Sequence, residues 1–268
     1  MRKFGLIGYP LSHSFSKKYF TEKFIKEKIT DCVYENFPLE NLDYFRDIVN
    51  SDNELCGLNV TIPYKTSIIR FLDKVETEAS DIGAVNVIKI LRQSGSLGLY
   101  GYNSDVTGIR DTILPFIDEN VRNALVLGTG GSSKAICYVL ENFGLKFNRV
   151  SRERKPGMLT YSDLDSSIIG STQLIINTTP LGMFPNIQSK PDIDYKKLNK
   201  NHILFDLVYN PELTAFLRMG AEQGCTTVSG IKMLHSQAEK SWEIWNNEDA
   251  LPAAARLSPF PRQTRKGD

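Results

Sequence analysis

Three stretches of this 268-residue chain hold side chains whose types and spacing suit chemistry. The first is Gly57-Leu-Asn-Val-Thr-Ile-Pro-Tyr-Lys65, where Asn59 and Thr61 are set among Leu58, Val60 and Ile62. The apolar and β-branched content predicts a short buried strand over Leu55–Ile62. Polar groups in a strand covered on both faces need partners, and a ligand is one candidate, with Lys65 as a cation just past Pro63. The second stretch, Gly101-Tyr-Asn-Ser-Asp105, ends in a carboxylate. A lysine and a carboxylate in one cleft perturb each other's pKa values and can pass a proton. A structural ion pair, or two unrelated surface groups, would use the same residue types, and spacing alone does not choose among these.

The third stretch runs Ala124-Leu-Val-Leu-Gly128-Thr129-Gly130-Gly131-Ser132-Ser133-Lys134-Ala135. A buried strand enters a glycine turn and leaves it as a helix, the setting that gives G-x-G-x-x-G its meaning. Gly128 permits the tight turn, and Gly130 lets the backbone approach a pyrophosphate. Unpaired N–H groups and the positive dipole end of the helix then face the phosphates. Ser133 takes the third glycine's place and is small enough for close helix–strand packing. About twenty residues further on, a nicotinamide-binding fold selects between a ribose hydroxyl and a 2′-phosphate. Here the next strand ends in Ser151-Arg152-Glu153-Arg154-Lys155, with no acid at its tip. Arg152, with Arg154 or Lys155 beside it, would clamp a dianionic phosphate; Glu153 would oppose this if it faced the phosphate. The pattern predicts NADP over NAD. A glycine turn without ligand and an exposed charged turn are the structural alternatives for these two segments.

The elements that must hold these residues follow an α/β pattern. Strands are predicted at Lys3–Gly8, Cys32–Phe37, Leu55–Ile62, Ala84–Leu91 and Gly98–Tyr102, the last two as a hairpin-like pair. Helices are predicted from near Ser16, over Leu42–Val49 and briefly near Thr66–Leu72. A bridging helix over 105–120 leads to the strand at Ala124–Gly128 and a helix over Lys134–Phe143. Strands at Arg149–Ser151, Leu174–Asn177, Ile203–Asp206 and Thr227–Ser229 continue the pattern and favour a parallel sheet. Residues 231–246 read as an amphipathic helix with Met233, Leu234, Ala238, Trp242 and Trp245 near one face.

Composition narrows the function classes. With 32 basic and 31 acidic residues the net charge is +1, which argues against nucleic acid or an anionic membrane as partner. No stretch approaches the length that spans a bilayer, and the apolar run near the start is too short for a signal peptide. Cys32, Cys56, Cys137 and Cys225 are scattered, without CxxC or a nearby His in metal-ligand spacing. Free thiols in a reducing cytoplasm, and no metal, are the expectation.

Together these segments resemble the shikimate dehydrogenase family, including its shikimate/quinate members, from about Phe4 to Trp245. The blocks that carry the resemblance are Ser14-Phe-Ser16, Asn59-Val-Thr61, Lys65, Gly83-Ala-Val-Asn86, Asp105 and the glycine loop. They continue through Asn177-Thr-Thr-Pro-Leu-Gly-Met183, Asp206-Leu-Val-Tyr209, and Gly230 with Met233 and Gln237. The strand tip departs from the family's usual Asn-Arg-Thr, reading Ser151-Arg152-Glu153.

The resemblance implies reversible NADP-linked reduction of 3-dehydroshikimate to shikimate, a step in aromatic amino-acid biosynthesis. It assigns Lys65 and Asp105 to catalysis and Ser14, Ser16, Asn59, Thr61, Asn86, Tyr209 and Gln237 to substrate. Cofactor contacts are implied for Gly128, Thr129, Gly130, Gly131, Ser132, Ser133, Ser151, Arg152, Lys155, Thr178, Leu207, Gly230 and Met233. Ser14 could instead cap the helix that begins near Ser16. His13, His202 and His235 match no acid/base position of the family.

The expected architecture is α/β with two domains. An N-terminal α/β substrate domain over 1–104 is completed by the C-terminal helix of 231–250. A Rossmann-like NADP-binding domain with a parallel sheet covers 105–230, and an irregular tail covers 251–268. The active site is expected in the cleft between the domains, with hinge closure over a small-molecule substrate, in a monomer or homodimer. Two other readings remain: an NAD-dependent quinate/shikimate dehydrogenase, and a catalytically silent sensor that binds shikimate-like ligands. Retention of both Lys65 and Asp105 speaks against the silent one.

Overall fold

The computed structural model describes residues 1–11, 15–93 and 95–247. The expected tail, and Ser14 among the candidate site residues, lie outside them. The described residues divide into two compact units, one holding those of Met1–Asn103 with 241–247, the other Ser104–Lys240.

The first unit contains β1 (Arg2–Gly8), α1 (Phe15–Lys26), β2 (Cys32–Pro38), α2 (Phe45–Ser51), β3 (Leu55–Val60), β4 (Lys74–Val75), α3 (Thr77–Ile82), β5 (Val87–Gln93) and β6 (Ser96–Tyr102). The second holds α4 (Asp105–Ile113), β7 (Asn123–Leu127), α5 (Gly131–Asn142), β8 (Lys146–Ser151), β9 (Leu159–Thr160), α6 (Ser166–Gly170), β10 (Leu174–Asn177), β11 (Ile203–Asp206), α7 (Ala215–Glu222) and β12 (Thr226–Val228). Helix α8 (Ile231–Asn246) changes unit along its length, through Lys240 with the second and from Ser241 with the first.

Strand β3 and the bridging helix are shorter than predicted, the helix expected near Thr66–Leu72 is a 3₁₀ turn over Ser67–Phe71, and the strand expected at Ala84–Leu91 runs Val87–Gln93. Strand β3 stops at Val60 rather than Ile62. Pro63 has no N–H for the ladder, Tyr64 N–H instead closes a turn onto the Thr61 carbonyl, and Ile62 is exposed. The bridging helix ends at Ile113 and tightens into a 3₁₀ turn over Leu114–Phe116, because Pro115 interrupts the helical bonds.

The first sheet has the order β2-β1-β3-β5-β6-β4. Strands β1, β2 and β3 are parallel, while β5 pairs antiparallel with both β3 and β6. One face buries Ile7, Leu58, Val60, Ile88 and Leu99 against Phe45, Val49 and Ile68. On the other, Phe4, Tyr34 and Gly57 share a register row. Aromatic rings from α1 and α8 cover that row: Phe20 stacks on Tyr34 at 4.6 Å and Trp245 on Phe4 at 4.8 Å. Gly57 makes room for this, since a Cβ there would lie 2.4 Å from the Trp245 ring. The buried Lys89 ammonium caps the end of α8 through the Ile244 carbonyl at 3.1 Å. Trp245 Nε1 donates to the Ile88 carbonyl at 3.0 Å. These contacts seat the last turns of α8 on the sheet.

The second sheet is wholly parallel in its recorded pairs, with the order β12-β11-β10-β7-β8-β9. Numbered within the unit this is 6-5-4-1-2-3, the doubly wound dinucleotide order, whose direction reverses between β7 and β10. Ligands of such sheets bind outside the carboxyl ends of the strands at that reversal. The glycine loop follows β7 and Thr178 follows β10, so the topology sets both at the switch point.

Candidate active site

In the first unit, backbone bonds gather the polar residues of the Asn59–Lys65 stretch. Val60 N–H donates to the Asn86 carbonyl at 2.8 Å, and Val85 N–H donates to the Lys65 carbonyl at 2.7 Å. Thr61 N–H reaches the Ile7 carbonyl at 2.9 Å. Asn59 near the carboxyl end of β3, Thr61 and Lys65 beyond it, and Asn86 just before β5 are thereby joined at one end of the sheet. Gly8 allows this, because a Cβ there would meet the Thr61 methyl at 2.4 Å. Tyr34 O–H donates to Asn59 Oδ1 at 2.8 Å, and Ser16, in the first turn of α1, borders the same phenol.

In the second unit, Asp105 is fully buried as the first residue of α4. One turn on, Gly108 lies so close to α8 that a Cβ would meet the Met233 carbonyl at 2.5 Å and Gln237 Cβ at 3.3 Å. Asp105, Met233 and Gln237 thus stand on two helices in direct contact. Gly230 packs equally tightly, its absent Cβ facing the Leu207 carbonyl at 2.6 Å.

The glycine loop is built for different purposes at its two ends. Gly128 has φ +119, and a Cβ would stand 2.5 Å from Thr178 Oγ1. That hydroxyl donates to the Leu127 carbonyl at 2.7 Å, tying the β7 and β10 ends together. Ser133 is buried and donates to the Gly128 carbonyl at 2.8 Å, holding α5 against the turn. Gly130 is unlike these. Its φ of −77 and ψ of −175 suit any residue, and a Cβ would meet nothing within 4 Å. Neither strain nor packing inside the chain requires a glycine there. The open cradle lies at the N-terminus of a 12-residue helix that no side chain caps, with Thr129, Gly131 and Ser132 around it. This is what a pyrophosphate needs, so the residues present fit a dinucleotide.

At the tip of β8, Ser151 is buried and accepts from Glu153 N–H at 3.3 Å, while Arg152, Glu153 and Lys155 are exposed. Arg154 pairs with Asp163 at 3.0 Å. The Thr160 backbone N–H, its hydroxyl and Arg154 hold that carboxyl down to about 2. Arg154 is therefore engaged along its own surface, and Arg152 and Lys155 are the cations left for a phosphate.

Residues 6–88 match the shikimate dehydrogenase substrate binding domain family. A curated relative, the NADP(+) shikimate dehydrogenase of Methanococcus aeolicus, is 38% identical over 259 residues, covering 90% of each chain. The chain belongs to the shikimate dehydrogenase family. Among solved structures, shikimate dehydrogenase 1 from Peptoclostridium difficile is similar at TM-score 0.78 and 36% identity over 91% of both chains. Shikimate 5-dehydrogenase from Thermus thermophilus, solved in complex with NADP(H) and shikimate, is similar at TM-score 0.79 and 25% identity over 92% of this chain and 94% of that one.

Three further residues of the chain hold the site together without carrying a motif role. Tyr34 and Ser241 both hydrogen-bond Asn59. Asp206, in the Asp206-Leu-Val-Tyr209 block, is a fully buried hub at the end of β11. It accepts from Thr214 Oγ1 at 2.6 Å, Asn177 Nδ2 at 2.9 Å and Val208 N–H at 3.0 Å. One carboxylate thereby fixes the loops bearing Thr178 and Leu207 and the N-cap of α7. A buried acid with small polar residues 29 positions before it and 8 after it is the signal a sequence could have offered. The ring nitrogens of buried His202 serve structure, Nδ1 accepting from Asn199 N–H at 3.1 Å and Nε2 donating to the Ile169 carbonyl at 3.1 Å. Among the described residues no group of three or more His, Cys, Asp or Glu could hold a metal ion. No described helix is long and apolar enough to cross a membrane.

Burial pushes the Asp206 carboxyl up to about 7, against the three hydrogen bonds that favour its charge. A raised carboxyl pKa means the folded state prefers the proton. Its stabilising contribution is therefore complete below the ordinary 3.8 and is lost as pH rises to about 7. Folding stability is expected to fall across that window by up to about 4 kcal/mol from this group. Asp206→Asn should flatten the slope in denaturant titrations at a series of pH values; an unchanged slope would assign the pH dependence elsewhere.

Proposed function

We propose that the chain catalyses reversible reduction of the 3-keto group of 3-dehydroshikimate to shikimate with NADPH. The observation that carries this reading is the alignment of 90% of the chain with a relative of that activity. The open cradle at Gly130 supports the cofactor half of the reading. The loop from Gly128 to Ser133 would hold the phosphates, with Thr178, Leu207, Gly230 and Met233 along the rest of the dinucleotide. Ser151, Arg152 and Lys155 would take the adenosine end, with the Arg152 guanidinium on the 2′-phosphate. The bound nicotinamide supplies or accepts the hydride.

The protein's part is proton transfer and alignment. Lys65 donates a proton to the carbonyl oxygen as the alcohol forms, and its charge stabilises developing alkoxide. In the reverse direction it accepts the hydroxyl proton. Asp105 orients the reacting hydroxyls. Ser14 and Ser16 donate to the substrate carboxylate, and Asn59, Thr61, Asn86, Tyr209 and Gln237 contact ring hydroxyls or the carboxylate. Residues 1–104 with the end of α8 form the substrate domain, and 105–230 the cofactor domain.

The test is oxidation of shikimate and of quinate, each with NADP and with NAD. The highest kcat/KM is expected for shikimate with NADP, and Arg152→Ala should raise KM for NADP about tenfold while sparing NAD. A higher kcat/KM with NAD would establish the quinate/shikimate alternative, and no turnover in any of the four pairs would establish a silent binder.

A further inference from the structure

Tyr34 and Ser241 are buried polar groups to which the proposed reaction gives no part. Tyr34 is 3% exposed and Ser241 is fully covered. Both act on a single side chain. Tyr34 O–H donates to Asn59 Oδ1 at 2.8 Å, while Asn59 Nδ2 donates to Ser241 Oγ at 2.9 Å and to the Asn86 carbonyl at 3.3 Å. A backbone carbonyl can only accept, so the atom facing Asn86 must be the NH₂ group, and Oδ1 must face Tyr34. The amide has one orientation. Its two N–H donors have internal partners, and the second lone pair of Oδ1 is what it offers a ligand. Such an acceptor suits an incoming hydroxyl and repels a carboxylate.

We propose that Tyr34 and Ser241 are positioning residues, which lock Asn59 as a hydrogen-bond acceptor for a ring hydroxyl of the substrate. The inference rests on Asn59 being a substrate contact, as read above. The two anchors are themselves held rigidly. The Tyr34 ring stacks on Phe20 at 4.6 Å. Ser241 precedes Trp242, which meets Phe4 edge-on at 5.4 Å, and Trp245, which stacks on Phe4 at 4.8 Å. Ser16 borders the same phenol, so one fixed hydroxyl lies between the residues proposed for the carboxylate and for a ring hydroxyl. Nothing in the aromatic packing requires the Tyr34 oxygen; a phenylalanine would fill the same layer.

The test uses Tyr34→Phe, Ser241→Ala and Asn59→Ala in the full chain, with Tyr34→Phe also combined with Asn59→Ala. Each anchor variant is expected to raise KM for shikimate about three- to tenfold, the scale of one hydrogen bond. KM for NADP and kcat should stay within about twofold. In the Asn59→Ala background, Tyr34→Phe should add no further change, because its route to the substrate is gone. Wild-type shikimate KM in both anchor variants, alongside a raised value in Asn59→Ala, would overturn the positioning role and leave the proposed activity standing. Multiplying effects in the double variant would overturn it as well. An unchanged shikimate KM in Asn59→Ala would remove the substrate contact on which the inference rests. Ser241→Ala keeps the test decisive should Tyr34→Phe fold poorly.

Discussion

Lys65→Met is expected to lower kcat for shikimate oxidation by about 10²-fold or more, with a far smaller change in KM. Methionine keeps an apolar stem of similar reach and removes the ammonium alone. The backbone at Lys65 is fixed by the bond from Val85 N–H to its carbonyl, which a side-chain change leaves intact. Folding should therefore be preserved, and the loss should be that of a positioned acid/base group, typically about 10²–10⁴-fold. An interaction made mainly in the transition state lowers kcat and kcat/KM together. A variant with near-normal kcat and a large rise in KM would instead make Lys65 a binding residue. Steady-state kinetics at saturating NADP, with thermal unfolding as the folding control, separate the two.

Much of the fold was legible because its strands are apolar runs bounded by polar turns. Leu174–Asn177 and Ile203–Asp206 begin and end where the sequence predicts, as does the helix over 231–246. Elements defined by their caps were harder to read. Helix α3 is only six residues long and has no apolar repeat; it exists because Glu76 caps its start and Gly83 ends it at φ 65. Helix α7 went unpredicted although Thr214 caps it and Gly220 packs on Leu204, since Gly220 within it reads as a breaker. At the candidate site, residue types and order were enough to nominate Asn59, Lys65 and the glycine loop. The orientation of the Asn59 amide was not readable. It depends on Tyr34, 25 residues away, and on Ser241, 182 residues away, and no local pattern encodes such contacts.

The two roles that the sequence suggests for Gly128 and Gly130, a turn and an approach to phosphate, separate cleanly in the structure. Gly130→Ala is expected to leave stability unchanged or slightly raised and to increase KM for NADP about tenfold or more. The backbone at Gly130 is extended and a methyl there touches nothing, so alanine fits and only reduces the freedom of the unfolded chain. What the methyl fills is the approach to α5, where a pyrophosphate would need the bare backbone. Gly128→Ala should do the reverse. Its φ of +119 strains any L-residue, and the new methyl would stand 2.5 Å from Thr178 Oγ1, displacing the bond that ties β10 to β7. A cost of about 1–3 kcal/mol in folding stability is expected. Cofactor binding would then be lost through the fold rather than at the contact. Thermal unfolding and NADP titration of both variants give the comparison. A Gly130→Ala protein that binds NADP like wild type would mean that no ligand lies against this backbone, and the dinucleotide would have to be sought elsewhere in the second unit.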